Sequence, residues 1–269
     1  MTIERVNGPG DRRVEEYTSV ADARLVRERG LFVAEGRLVV QRLIEDGRYR
    51  IRSLLLSDAA LRSLEPVIAD VDAPIYVCAA DDFRGISGYN IHRGCLALAE
   101  RPAPSSAADL LAAARSAIIL EAIANPDNVG GIFRNAAAFG VDAVVLSPAC
   151  CDPLYRKAIR TSMAAALRVP YATFDAWPAA LSEVRGLGFS IVALTPREPS
   201  EDLDRFAPQH RSARIALLVG AEGSGLTAEA ERLADYRVRI PISDGVDSLN
   251  VAVAAGIAMY RLTGSTAAG

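Results

Sequence analysis

Two successive patterns of apolar and polar positions run along the chain. Residues 1–22 are charged and poorly patterned, and read as an exposed lead-in with a short helix. The apolar run Leu31-Phe32-Val33-Ala34-Glu35-Gly36 follows, and apolar residues then recur at helical spacing through 37–44 and stop at Gly47. Three- and four-residue spacing marks an amphipathic helix, and glycine is a common stop. Residues 51–56, 75–78 and 95–100 read as strands, and 61–69 as a helix interrupted by Pro66. Residues 1–100 are expected to form a small α/β domain.

Arg101-Pro102-Ala103-Pro104-Ser105-Ser106 breaks that pattern and predicts a linker, placed at 101–115. Beyond it, apolar runs at 117–123, 143–146, 190–194, 215–219 and 238–242 alternate with helical patterns at 129–139, 156–167, 179–187, 228–234 and 251–262. Such alternation predicts a largely parallel sheet covered by helices on both faces. The fold class is α/β, with 116–269 as the second domain.

Composition adds bounds. Of 269 residues, 51% are hydrophobic and 23% charged, as in a globular protein with a substantial core. The net charge of −3 announces no nucleic-acid partner in bulk, although local patches stay open. Lys157 is the sole lysine, a skew better explained by codon usage than by a ligand. Four cysteines (Cys78, Cys95, Cys150, Cys151) without a CxxC pair, and two histidines, argue against a zinc site or a disulfide framework. A reducing, cytoplasmic compartment is expected. The first eleven residues hold no apolar signal region, and no apolar stretch reaches the ~18 residues of a membrane span.

Three strings carry candidate chemistry. Asn125-Pro126-Asp127-Asn128-Val129-Gly130-Gly131-Ile132-Phe133-Arg134 follows a strand and opens a helix, with Asn128 placed at the cap or the turn before it. Within one helix, Asn128 and Arg134 stand roughly 240° apart, so they converge only if Asn128 lies in the loop. Leu217-Leu218-Val219-Gly220-Ala221-Glu222-Gly223-Ser224-Gly225-Leu226 runs from a buried strand into a glycine-rich loop, where strand ends bind ligands in open α/β sheets. It is not the G-x-G-x-x-G of a dinucleotide site. In the third, Ile240-Pro241-Ile242 ends a strand, Asp244-Gly245 turns, and Asp247 or Ser248 is placed to cap a closing Ala-rich helix through Leu249-Asn250-Val251. Alone, each string reads as an ordinary turn or helix cap.

Together and in this order, N-x-G-x-x-x-R, V-G-x-E-G-x-G-L and I-P-I with D-S-L-N-V resemble the SpoU branch of the SPOUT methyltransferases, the TrmH-like RNA 2′-O-ribose methyltransferases. The resemblance spans roughly 117–262. It implies a SPOUT domain with a deep trefoil knot, S-adenosyl-L-methionine as cofactor and no metal. By motif, Gly220, Ile240, Leu249, Gly223, Leu194 and Thr195 would line the cofactor pocket. Arg134 would be the central catalytic residue, either as base or as the group holding phosphate or ribose and the developing oxyanion. Arginine's pKa above 12 favours the second role. Asn128, Glu222, Ser248 and Asn250 would orient that arginine and the ribose. The resemblance further implies a homodimer whose active site is completed at the interface, with the 251–262 helix as interface element or core.

The stretch Phe32-Val33-Ala34-Glu35-Gly36 is similar to the ribosomal-protein-like substrate-binding domain often fused to this family, which favours rRNA over tRNA as substrate. His92 and Arg93, between Gly88 and Gly94, suit RNA contact or a structured loop. Arg156, Lys157, Arg160 and Arg168 suit RNA-backbone contact or a solvated helix face. The competing readings are a tRNA 2′-O-methyltransferase, a non-catalytic RNA-binding factor of the same fold, and a Rossmann-type small-molecule enzyme.

Overall fold

A computed structural model describes residues 2–18, 22–87, 94–210, 213–246 and 248–263. Asp247 and the 88–93 stretch holding His92 and Arg93 lie outside them. The chain divides into two units, Met1–Ala103 with Asp152–Leu167, and Pro104–Cys151 with Arg168–Gly269.

The first unit contains β1 (Thr2–Arg5), α1 (Asp22–Glu28), β2 (Leu31–Glu35), α2 (Arg37–Asp46), β3 (Ile51–Ser57), α3 (Asp58–Ile68), β4 (Pro74–Cys78), α4 (Ala80–Ser87) and β5 (Cys95–Glu100). They form a mixed sheet of order β1-β4-β3-β5-β2. The lead-in is not merely exposed. Thr2–Arg5 pairs in parallel with β4, and Val14 and Tyr17 of the following turn are buried in the core. The Tyr17 hydroxyl donates to the Ser53 carbonyl at 2.8 Å. An edge strand of four largely polar residues leaves no apolar alternation to read. Helix α3 also starts earlier than its pattern, because the Ser57 side chain caps it, and it continues through Pro66. A proline this close to the C-terminal end costs one hydrogen bond and leaves the helix standing.

The predicted 156–167 helix belongs to this unit and is broken in two. A helix at Arg156–Thr161 ends where Met163 and Ala164 take left-handed φ of 52° and 69°, and a short turn follows at Ala165–Leu167. The Arg156 side chain lies 3.7 Å from Asp22, and Arg160 pairs with Glu35 at 3.1 Å. Two of the four charges proposed for RNA contact are thus held by carboxylates of their own unit.

The second unit begins inside the predicted linker. Helix α5 (Ala107–Ala113) is capped by Ser106 and buries Leu111. Arg214 donates to the carbonyls of Ala114 and Leu111 at 2.8 and 2.7 Å, closing the C-terminal end of that helix. Next come β6 (Ser116–Glu121), α6 (Pro126–Ala138), β7 (Ala143–Leu146), α7 (the Arg156–Thr161 helix of the first unit), β8 (Tyr171–Thr173), α8 (Leu181–Gly186) and β9 (Ser190–Leu194). The chain ends with β10 (Glu201–Asp202), α9 (Leu203–Gln209), β11 (Ile215–Gly220), α10 (Ala228–Leu233), β12 (Tyr236–Arg239) and α11 (Val251–Thr263).

Its sheet has the order β10-β12-β9-β11-β6-β7-β8, and each pairing is parallel. Strands β6, β7, β9 and β11 are nearly continuous runs of buried Val, Ile, Leu and Ala, as expected of a parallel sheet covered on both faces. The chain winds from β6 outward to β8, then resumes with β9 on the other side. Strand β11 then enters between β9 and β6. This reversal of direction marks the carboxyl ends of β6, β11 and β9 as the place where such sheets bind ligands.

Helices α6 and α11 pack closely through small residues. A Cβ added to Gly131 would meet the Ala252 Cβ at 2.9 Å, and one added to Gly256 would meet the Asn135 side-chain nitrogen at 2.7 Å. That nitrogen donates to the Ala252 carbonyl at 2.7 Å. Gly256→Ala therefore displaces a hydrogen-bonded amide, and urea denaturation is expected to show a loss of about 1–3 kcal/mol. An unchanged midpoint would refute this packing.

Candidate active site

The carboxyl end of β6 starts the site. Ala122 takes a left-handed φ of 54°, and its N–H donates to Ser147 Oγ at 2.9 Å, which turns the chain toward α6. Asn125, rather than Asn128, is the N-cap: its side chain accepts from the Asp127 N–H at 2.9 Å, and Pro126 takes the first helical position. Asn128 is consequently in the first turn of α6 and buried.

The third string supplies the partner. Asn250 caps α11, its Oδ1 accepting from the Ala252 and Val253 N–H groups at 3.0 and 3.2 Å. Neither Ser248, which is exposed, nor Asp247, outside the described residues, is needed for that cap. The amide of Asn250 faces the other way. Its Nδ2 donates to Asn128 Oδ1 at 2.9 Å and to Glu222 Oε1 at 2.6 Å. A flipped amide would set oxygen against a carboxylate, so this orientation is the one the network allows. One side chain thereby ties α6, the loop after β11 and the start of α11 into a single cluster.

The glycine-rich loop holds Glu222 at this meeting point. It folds back on itself, with the Gly225 N–H donating to the Ala221 carbonyl at 2.9 Å. A Cβ on Gly220 would lie 2.3–2.5 Å from the backbone of Gly225 and Leu226, so a side chain there is incompatible with the turn. Gly223 has a φ of +82° and open space around it. Glu222 itself is exposed.

Leu194, Gly220 and Ile240 stand at the carboxyl ends of β9, β11 and β12, neighbouring strands of one sheet. Leu194, Ile240 and Leu249 are half-buried apolar residues. Thr195 is buried, and its hydroxyl donates to Glu231 Oε1 at 2.8 Å. Its side chain thus serves the framework, and its N–H donates to the Val238 carbonyl at 2.9 Å.

Arg134 does not join the cluster. It sits on α6 with Asn128, and six residues of α-helix turn it roughly 240° away, so the convergence that a loop-borne Asn128 would allow is absent within one chain. It is exposed and has no hydrogen-bond or ion-pair partner among the described residues.

Two groups that carry no motif complete the frame. Glu121, buried at the end of β6, accepts from the Trp177 indole N–H at 2.6 Å and from the N–H and hydroxyl of Thr227 at 2.8 Å. Arg197 donates to the carbonyls of Leu226 and Ser224 at 3.0 and 2.9 Å and to Glu231 at 3.2 Å. Neither Glu121 nor Arg197 lies in any of the three motif strings, and no spacing pointed to either. Among the described residues no group of His, Cys, Asp or Glu is arranged to hold a metal, and no helix is long and apolar enough to cross a membrane. The four cysteines are buried free thiols, with Cys78 and Cys95 pushed up to about 12 by burial.

The chain is similar to known proteins. A model of the SpoU rRNA Methylase family matches residues 115–260. An uncharacterised tRNA/rRNA methyltransferase of Mycobacterium bovis is 43% identical over 269 residues, covering 98% of this chain and 93% of its own length. The 23S rRNA (guanosine(2553)-2′-O)-methyltransferase of Bacillus subtilis is 25% identical over 264 residues, covering 97% of this chain and 100% of its own. The AdoMet-bound rRNA methyltransferase of Sinorhizobium meliloti has the same fold, with a TM-score of 0.83, 23% identity and 97% of each chain covered. From residues 115–260 and from a full-length relative, this chain belongs to the SpoU rRNA methylase family.

Proposed function

We propose that the chain transfers a methyl group from S-adenosyl-L-methionine to a ribose 2′-hydroxyl of RNA, with rRNA as substrate in preference to tRNA. The observation that carries this reading is the Asn128–Asn250–Glu222 cluster at the carboxyl end of β11. Related chains named as 2′-O-methyltransferases of 23S rRNA support the choice of RNA and of acceptor atom. In this reading residues 1–100 grip RNA, 116–269 carry the chemistry on a knotted chain path, and the enzyme works in the cytoplasm.

The cofactor fits the residues present. Half-buried Leu194, Ile240 and Leu249 offer apolar surface for a purine ring, and Gly223, with open space around it, leaves backbone uncovered for its polar edge. When bound, S-adenosyl-L-methionine supplies an electrophilic methyl group on a sulfonium. Asn250, its amide donors given to Asn128 and Glu222, holds the Glu222 carboxylate fixed toward the ribose. Ser248, two residues before Asn250, adds an exposed side chain. Alignment of a weak nucleophile in this way accounts for much of a barrier reduction. Arg134 is a permanent cation with five donors, suited to hold phosphate or ribose and stabilise the developing oxyanion rather than to accept a proton.

A homodimer supplies what one chain lacks. Val253, Ile257 and Tyr260 are 51, 38 and 54% exposed and recur at helical spacing on α11, an apolar stripe suited to a second copy. In a two-fold pair, Arg134 of one copy is available to the cluster of the other. Ile257→Arg is expected to convert the dimer to monomer in light scattering and to lower methyl transfer by about 10²-fold or more. A fully active monomer would contradict a shared site. For the substrate, methyl-labelled cofactor is incubated with rRNA and tRNA separately. Label in rRNA is expected, and label confined to tRNA would reassign the substrate.

A further inference from the structure

Strand β11 lies between β9 and β6, and the loop that follows it is gripped from both sides by charged side chains of opposite sign. From the β9 side, Arg197 reaches the carbonyls of Ser224 and Leu226, and its guanidinium is braced by Glu231, whose side chain is 5% exposed. Glu231 is itself fixed by the Thr195 hydroxyl. From the β6 side, Glu121 holds the N–H and hydroxyl of Thr227, the cap of α10, while it also receives the Trp177 indole N–H. Both grips close on the segment that carries Glu222 and that folds over Gly220 without room for a Cβ. Exposed glycine-rich loops are conformationally free unless something holds them. Here a cation satisfies carbonyls on one flank and an anion satisfies donors on the other.

We propose that Glu121 and Arg197 are positioning residues for cofactor binding. They fix the 220–227 loop in its ligand-ready shape, so that the backbone at Gly220 and Gly223 and the carboxylate of Glu222 need no rearrangement. This rests on the reading of the Gly220, Ile240 and Leu249 region as the S-adenosyl-L-methionine pocket. A loop ordered before binding spares the ligand the entropy of ordering it. Neither side chain is assigned a contact with the reacting atoms.

Trp177 is the only tryptophan, so its emission reports the Glu121 end of this frame without an added label. S-adenosyl-L-methionine is titrated into the full-length wild type, Arg197→Ala, Arg197→Lys and Glu121→Gln, with Trp177 fluorescence and calorimetry as independent readouts, and melting temperature is recorded for each. Wild type is expected to bind, Arg197→Ala and Glu121→Gln to bind about tenfold or more weakly, and Arg197→Lys to recover part of the loss. The Arg197 side chain is 50% exposed, so its variants remain folded and testable even where Glu121→Gln does not. A lower melting temperature with cofactor affinity within about twofold of wild type means bracing alone and overturns the proposal. A wild type that binds no cofactor removes the pocket reading, and the positioning role falls with it.

Discussion

Arg134→Ala is expected to lower methyl transfer by about 10²–10³-fold while the protein stays folded and keeps its cofactor affinity. The expectation combines two observations. The side chain is exposed and makes no hydrogen bond or ion pair among the described residues, so its removal leaves no orphaned partner. Substitutions at such positions typically move stability by no more than about 0.5 kcal/mol. It nevertheless stands on α6, the helix that carries Asn128 into the cluster. A cation without a partner among the described residues is available to an anionic substrate. Single-turnover assays with saturating cofactor separate the two effects. Activity within about twofold of wild type would remove Arg134 from the reaction.

Asn250→Asp is the second large effect, and it isolates the cluster from the helix cap. Aspartate caps a helix as well as asparagine, so the bonds to the Ala252 and Val253 N–H groups are expected to persist. The amide donors to Asn128 and Glu222 are lost, however, and a second carboxylate faces Glu222 where 2.6 Å now separates nitrogen from oxygen. The buried Asn128 oxygen then has no donor. An unsatisfied buried acceptor costs about 1–3 kcal/mol, and like charge adds to it. Urea denaturation should register that loss, and methyl transfer should fall at least as far as in Arg134→Ala. Asn250→Ala adds the missing cap, about another 0.5–2 kcal/mol. Equal stability of wild type and Asn250→Asp would show that the three-residue cluster contributes nothing to the fold.

The two experiments rest on parts of the molecule that differed in how visible they were. The apolar runs at 143–146, 190–194 and 215–219 lie in β7, β9 and β11, because buried parallel strands are written as uninterrupted Val, Ile, Leu and Ala. Strands β8 and β10 span three and two residues, too short to carry any period. Thr2–Arg5 was hidden for another reason: at a sheet edge its side chains stay polar. Helix α5 was hidden by its neighbours, since Pro and Ser before it look like linker although Ser106 is its cap.

The candidate site divides in the same way. Asn128, Glu222 and Asn250 lay in three legible strings, and their union needed only the fold to bring the strings together. The capping roles were displaced by a few residues, from Asn128 to Asn125 and from Asp247 or Ser248 to Asn250, because a cap is decided by local backbone geometry that several Asn, Asp and Ser residues can satisfy. Glu121 and Arg197 were illegible: each acts on residues 27 or more positions away and belongs to no spacing pattern. The placement of Arg134 was the more instructive difference. Helical phase carries it away from Asn128, and only the proposed second copy would bring it back.

Alkaline hydrolysis of RNA distinguishes methyl transfer to a ribose oxygen from transfer to a base. A methylated 2′-oxygen cannot attack its own phosphodiester, so alkali leaves that linkage uncut. rRNA incubated with this chain and methyl-labelled S-adenosyl-L-methionine is digested in alkali and separated by size. Label is expected in alkali-resistant dinucleotides and absent with Arg134→Ala. Label recovered in mononucleotides would place the methyl group on a base and contradict transfer to ribose.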